Sequence, residues 1–172
     1  MARNIEIKAR IDSVERWLPK AGALADSGPN EILQDDTFFH CPGGRLKLRA
    51  FSAAQGELIF YKRPDRAGPK ESTYSIAPVG MPDSLREVLS LAYGQIGRVR
   101  KVRKLFLLGR TRIHLDRVEE LGDFIELEVV LGKSETAEAG IKVARELLNR
   151  LGIPDGSLIE GAYVDLLRQK RE

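Results

Sequence analysis

Asn4-Ile5-Glu6-Ile7-Lys8-Ala9-Arg10 alternates without a break. On an extended strand Asn4, Glu6, Lys8 and Arg10 share one face, and Ile5, Ile7 and Ala9 share the other. The pattern recurs in Arg45-Leu46-Lys47-Leu48-Arg49, in Arg110-Thr111-Arg112-Ile113-His114-Leu115-Asp116 and in Phe124-Ile125-Glu126-Leu127-Glu128-Val129. Several strands therefore carry a face with charges of both signs, backed by an apolar face. Two arrangements satisfy this pattern. In an ordinary half-buried sheet the charged faces look into water. In a sheet closed on itself with the charges inside, they line a tunnel suited to a polyanion and its metal.

The chain of 172 residues is long enough to bury a sizeable core, and residues 1–172 are read as a single domain. Lys and Arg number 28 against 25 Asp and Glu, a net charge of +3. That balance permits an anionic ligand without requiring nucleic acid. The densest basic run is Arg98 to Lys104, and elsewhere charge is distributed by strand face. Aromatic residues are not interleaved with the bases, as stacking on a single strand would need, so no nucleic-acid partner is expected. The lone Cys41 excludes an internal disulfide and fits a reducing compartment, and His40 beside it has no second ligand at metal spacing. With no apolar leader segment and no run near the ~20 apolar residues that span a bilayer, a soluble cytoplasmic protein without a membrane partner is expected. The oligomeric state stays open between a monomer and a homodimer.

Strands are predicted at Asn4–Arg10, Ile32–Phe39, Arg45–Phe51, Glu57–Arg63, Glu71–Ile76, Arg98–Leu107, Arg110–Arg117 and Phe124–Leu131. Asp12 is placed as the cap of a first helix with Glu15 reaching back, and Pro19 conflicts with that helix's interior. Ser27-Gly28-Pro29-Asn30 reads as a break, and His40 to Gly44 as a hairpin turn. Further helices run from Pro82 to Gly94, from about Glu135 to Leu151 and from Ala162 to Gln169. The fold class is α+β: eight antiparallel strands, mostly a meander, enough to close a β-barrel with helices packed outside.

Glu126 and Glu128 share a strand face, and Glu6 lies on a like face of the first strand. If the first and last strands meet, three carboxylates converge, which is unfavourable unless a cation sits between them. Hard oxygen donors would select Mg2+ or Mn2+. The competing assignment is a set of solvent-facing glutamates. Lys8, Arg45, Lys47, Arg49, Lys62, Lys101, Arg103 and Arg112 also fall on alternating strand positions, either as a solvated face or as a phosphate-binding wall. His114 reads as a hydrogen-bonded structural histidine. No glycine-rich phosphate loop is present, so phosphate contacts would have to come from side chains.

Taken together, Asn4-Ile5-Glu6-Ile7-Lys8, Gln34-Asp35-Asp36-Thr37-Phe38-Phe39, Lys101-Val102-Arg103, the long stretch Arg112 to Glu128 and Ala162 to Leu167 resemble the CYTH fold of triphosphate tunnel metalloenzymes, a family that includes thiamine triphosphatase. Arg112 to Glu128 is similar to the class IV adenylyl cyclase branch in particular. The resemblance implies a triphosphate substrate, with Glu6, Glu126 and Glu128 holding Mg2+ or Mn2+. It implies Lys8, Lys47, Arg49, Lys62, Lys101, Arg103 and Arg112 on the triphosphate, and Asp116 near the reacting end. Two positions depart from the family pattern. Asn4 replaces the first Glu of the signature, and Phe38 stands where hydrolytic relatives often have a Tyr. The implied activity is cyclisation of ATP to cyclic AMP and pyrophosphate. Hydrolysis of tripolyphosphate or of a nucleoside or thiamine triphosphate is the alternative, and a non-catalytic polyphosphate-binding module a further one.

Overall fold

The computed structural model describes residues 1–172. Its strands are β1 (Ala2–Arg10), β2 (Ser27–Phe39), β3 (Arg45–Ser52), β4 (Gln55–Lys62), β5 (Lys70–Val79), β6 (Gln95–Leu108), β7 (Thr111–Val118) and β8 (Gly122–Val130). The helices are α1 (Val14–Leu24), α2 (Pro82–Tyr93), α3 (Ala137–Leu151) and α4 (Tyr163–Arg171). The eight strands close into an antiparallel barrel in the order β1-β5-β4-β3-β2-β6-β7-β8. The runs β2 to β5 and β6 to β8 are hairpin meanders. Three non-local pairings, β2 with β6 and β1 with both β5 and β8, join them into a ring.

The barrel turns its apolar face outward. Ile7, Ile113, Leu115, Ile125 and Leu127 point away from the axis and pack under α1 and α3, with Trp17, Leu147 and Leu151. Leu48 and Phe39 meet Leu89 of α2 in the same way. The helices thus bury the faces that water would otherwise expose, and the alternation then drives the charged positions inward. Helix α3 lies so close that a Cβ on Gly140 would sit 2.6 Å from both Ile5 Cγ1 and Leu131 Cδ2, so glycine sets the helix-to-sheet distance. Helix α4 instead covers one end of the barrel, packing Tyr163, Val164 and Leu167 against Phe38, Val99, Val118 and Phe124.

Two local expectations are corrected, and the first helix is present as expected. Ser13, not Asp12, caps α1, accepting from the Arg16 amide at 3.3 Å. The Asp12 carboxylate accepts from Ser13 N, Trp17 Nε1 and Arg16, and Glu15 accepts from Arg117 rather than reaching back. The helix runs through Pro19, because buried Val14, Trp17 and Ala21 hold its apolar stripe against the barrel despite the one missing hydrogen bond. The Ser27–Asn30 break belongs to β2. There Gly28, at φ 108°, forms a bulge opposite β6 where a Cβ would meet Leu105 O at 2.6 Å, and Pro29 needs no ladder hydrogen.

Candidate active site

The inward faces enclose a cavity of about 280 Å³. Strand registers decide what meets inside it. Pairing of β1 with β8 sets Glu6 opposite Glu128 and Lys8 opposite Glu126. Pairing of β7 with β8 sets Arg112 opposite Glu128 and His114 opposite Glu126. Seven cationic side chains line the cavity: Lys8, Lys47, Arg49, Arg63, Lys101, Arg103 and Arg112. Five carboxylates, those of Glu6, Asp36, Glu57, Glu126 and Glu128, stand among them, so the walls carry a cationic excess.

Each buried carboxylate is tied to cations from other strands. Asp36 accepts from Arg49 Nε and Nη2, both at 2.8 Å, and from Lys47 Nζ at 3.1 Å, with Lys101 Nζ 3.8 Å away. These neighbours hold its carboxyl well below the usual range against the opposing effect of burial. Burial and the adjoining Arg49 guanidinium push the Lys47 ammonium down to about 8. Lys101 is also driven well below the ordinary lysine range by burial and by Arg103. On the opposite wall Glu126 lies 3.2 Å from both Lys8 Nζ and Arg103 Nη2, and Glu128 lies 2.9 Å from Arg112 Nη2. The nearby cations outweigh burial and hold the Glu126 carboxyl well below the carboxylate range. Glu6 pairs with Arg63. Tyr163 closes the α4 end, its ring 3.8 Å from Lys8 Nζ and 5.0 Å from Lys101 Nζ, while its hydroxyl donates to Asp116 Oδ2 at 2.7 Å.

Of the residues singled out in the sequence, Glu6, Lys8, Lys47, Arg49, Lys101, Arg103, Arg112, Glu126 and Glu128 all line this cavity. Four placements differ from expectation. Lys62 is exposed on the outer face, its ammonium 6.0 Å from the Phe60 ring, because Glu57, Ile59, Tyr61 and Arg63 take the inward positions. Arg45 lies outside the lining, held by Asp165 at 2.7 Å and Asp65 at 3.1 Å. Asp116 is fully buried behind Arg103, not at the cavity surface. Glu6 faces the cavity, but the donor group compact enough for a metal is His114, Glu126 and Glu128, whose ligand atoms lie within 4.8 Å of one another.

Asp36, Arg63, Tyr61, Tyr74 and Tyr163 also line the cavity, though none stands out in the sequence as a site residue. Gln34, Asp36 and Phe38 alternate as the other inward sets do, and that parity was a usable signal for Asp36. Arg63 was masked by Lys62, since two adjacent bases leave the choice of face open. Tyr163 sits on a helix and carries no strand periodicity to reveal it.

Residues 2–163 match the CYTH domain family. The adenylate cyclase CyaB of Aeromonas hydrophila is 24% identical over 177 residues, spanning 96% of this chain and 88% of that protein. Among solved structures, the PH1012 protein of Pyrococcus horikoshii OT3 superposes with a TM-score of 0.84 at 24% identity, over 95% of this chain and 98% of that one. The PH1819 protein of the same organism gives a TM-score of 0.77 at 18% identity, over 97% and 99%. These two structural likenesses bear on the fold. No helix is long and apolar enough to cross a membrane.

Proposed function

The chain belongs to the CYTH domain family of triphosphate-tunnel enzymes, and from that premise we propose that it is a divalent-metal-dependent enzyme that converts ATP to cyclic AMP and pyrophosphate. The observation that carries the reading is the convergence of seven cations and the His114, Glu126 and Glu128 donors on one cavity. The cations suit the phosphate chain, and the donors suit a metal beside it. The name of the Aeromonas hydrophila relative supports cyclisation, as does Phe38, which brings no hydroxyl to the cavity.

The donor set fits a divalent cation. Two carboxylates and an imidazole nitrogen converge, and the buried Asn4 Oδ1 and His114 Nδ1 have no hydrogen-bond partner in the same cavity. Glu126 and Glu128 would hold Mg2+ or Mn2+, which would withdraw charge from the phosphate oxygens. The residues themselves supply the rest. Lys47, Arg49 and Lys101 on one wall, and Lys8, Arg103 and Arg112 on the other, would grip the triphosphate from both sides and hold it straight. In that pose the ribose 3′-hydroxyl would give up its proton to solvent water and attack the α-phosphorus in line, as the bond to the pyrophosphate oxygen breaks. Glu126, 3.2 Å from both Lys8 Nζ and Arg103 Nη2, would contribute charge and coordination.

Hydrolysis of a triphosphate by water is the second reading. Tyr61 and Tyr74 in the lining favour it, since they bring phenol groups to the cavity that Phe38 lacks. The deciding experiment incubates the protein with ATP and with tripolyphosphate, each with Mg2+ or Mn2+, and resolves the products. Cyclic AMP with pyrophosphate from ATP, and no reaction with tripolyphosphate, is expected. Orthophosphate from both would establish the triphosphatase, and binding without any product would leave a polyphosphate-binding module.

A further inference from the structure

We propose that His114 is the third ligand of the tunnel's metal site, joining Glu126 and Glu128, and that this site takes a first-row transition dication, Mn2+, ahead of Mg2+. The inference rests on the metal-dependent reading above and adds the ligand and the class of ion.

His114 projects from the middle of β7 into the barrel, opposite Glu126 on β8, and is 3% exposed. Its Nδ1 lies 3.5 Å from Glu126 Oε1 and 4.0 Å from Glu128 Oε1. Both separations exceed a sound hydrogen bond, and Nδ1 is buried without a partner. Polar atoms removed from water are normally satisfied, so an unpartnered nitrogen aimed between two carboxylates calls for an occupant. Adjacent ligands at ordinary metal–nitrogen and metal–oxygen bond lengths stand about 3 to 3.5 Å apart, so modest side-chain shifts would close these three donors around one ion.

Both carboxylates also meet cations. Glu126 Oε2 pairs with Lys8 Nζ and its Oε1 accepts from Arg103 Nη2 at 3.2 Å, while Glu128 Oε2 pairs with Arg112 Nη2. Glu128 Oε1 lies 4.0 Å from the imidazole. Arg103 Nη2 shares the Glu126 oxygen that faces the imidazole, so an ion bound there would compete with that contact.

Donor chemistry selects the ion. Mg2+ prefers an all-oxygen octahedral shell, and an imidazole nitrogen shifts preference toward first-row transition ions. Two carboxylates keep the site hard enough for Mn2+, which accepts nitrogen and oxygen together and tolerates less regular geometry.

The test uses the full-length protein without nucleotide. Mn2+ is titrated in, and pulsed electron paramagnetic resonance reads nitrogen coupled to the bound ion. A 14N modulation is expected in the parent, converted to a 15N coupling when the histidines alone are 15N-labelled. It should persist in His40→Gln and vanish in His114→Gln, whose Mn2+ affinity should fall by roughly tenfold or more while Mg2+ affinity changes little. The labelled parent decides the matter even if His114→Gln folds poorly. Bound Mn2+ without nitrogen coupling, no Mn2+ binding, or an equal loss of Mn2+ and Mg2+ affinity in a folded His114→Gln would overturn the proposal. Cyclic AMP formed without nitrogen coupling would sink this inference and spare the cyclase reading. Nitrogen coupling without turnover of any triphosphate would do the reverse.

Discussion

The Arg103 guanidinium grips the Asp116 carboxylate at two points, Nε to Oδ1 and Nη2 to Oδ2, each at 2.7 Å, and both side chains are buried. Arg103 also contacts Glu126, and the Tyr163 hydroxyl donates to the same Asp116 oxygen, Oδ2, that accepts from Arg103 Nη2. Asp116 therefore acts on the cavity through Arg103, fixing the direction in which that guanidinium points. Burial alone would raise the Asp116 carboxyl, but the Arg103 charge and hydrogen bonds hold it far below the ordinary carboxylate range.

Replacing Asp116 by Ala leaves a buried guanidinium short of its main partner, a change that typically costs about 3–5 kcal/mol. Chemical denaturation of Asp116→Ala should show a loss of that order. Tripolyphosphate binding should weaken but persist, since the other cations remain. A variant as stable as the parent would contradict the buried pair.

Asp36 is a single anion shared by Lys47, Arg49 and Lys101. Asp36→Asn removes the charge that offsets their repulsion, so the free protein should melt lower. Tripolyphosphate would then supply the missing negative charge. The gain in melting temperature on adding it should exceed the parent's gain, itself roughly 5–10 °C at a hundredfold excess over Kd. Equal gains in both proteins would mean the anion does not reach these cations.

Arg63 and Lys62 are adjacent bases with opposite orientation. Arg63→Ala should strip Glu6 of its partner, destabilise the fold by a few kcal/mol and reduce triphosphate affinity. Lys62→Ala should alter stability by less than about 0.5 kcal/mol and leave binding nearly unchanged. Calorimetric titration of both variants checks the pair; similar losses would place both side chains at the ligand.

Triphosphate affinity should depend on pH through Lys47. Its ammonium is pushed down to about 8 in the free protein, and a bound polyanion favours the charged form. Binding therefore takes up a proton above pH 8, and affinity should fall as pH rises through that value. Below it Lys47 is already charged and contributes no further pH dependence. Calorimetry in buffers of different ionisation enthalpy reads the proton uptake directly; no uptake between pH 8 and 9.5 would refute the assignment.

The double variant Glu126→Gln with Glu128→Gln should separate metal from phosphate. Turnover should fall to background, while metal-free tripolyphosphate binding should hold or tighten because Lys8, Arg103 and Arg112 lose their competing carboxylates. Normal turnover with Mg2+ or Mn2+ would remove these glutamates from the site.

Alternation is a local property, since each side chain points opposite to its neighbour, and the sequence alone therefore sorted Glu6 with Lys8, Lys47 with Arg49, Lys101 with Arg103, and Glu126 with Glu128. It also held enough to count eight strands and identify a closed barrel. What it could not carry was anything that depends on ring closure or on partners distant along the chain. Only the helices packed over Ile7, Ile113 and Leu127 decided that the charged faces look inward. Only register decided that Glu6 meets Arg63, that Asp36 gathers three cations, and that His114 stands between Glu126 and Glu128. The choice between Lys62 and Arg63 turned on a single residue of strand phase. One step of phase exchanges the inside of a barrel for its outside, and two adjacent bases give the sequence no means of choosing.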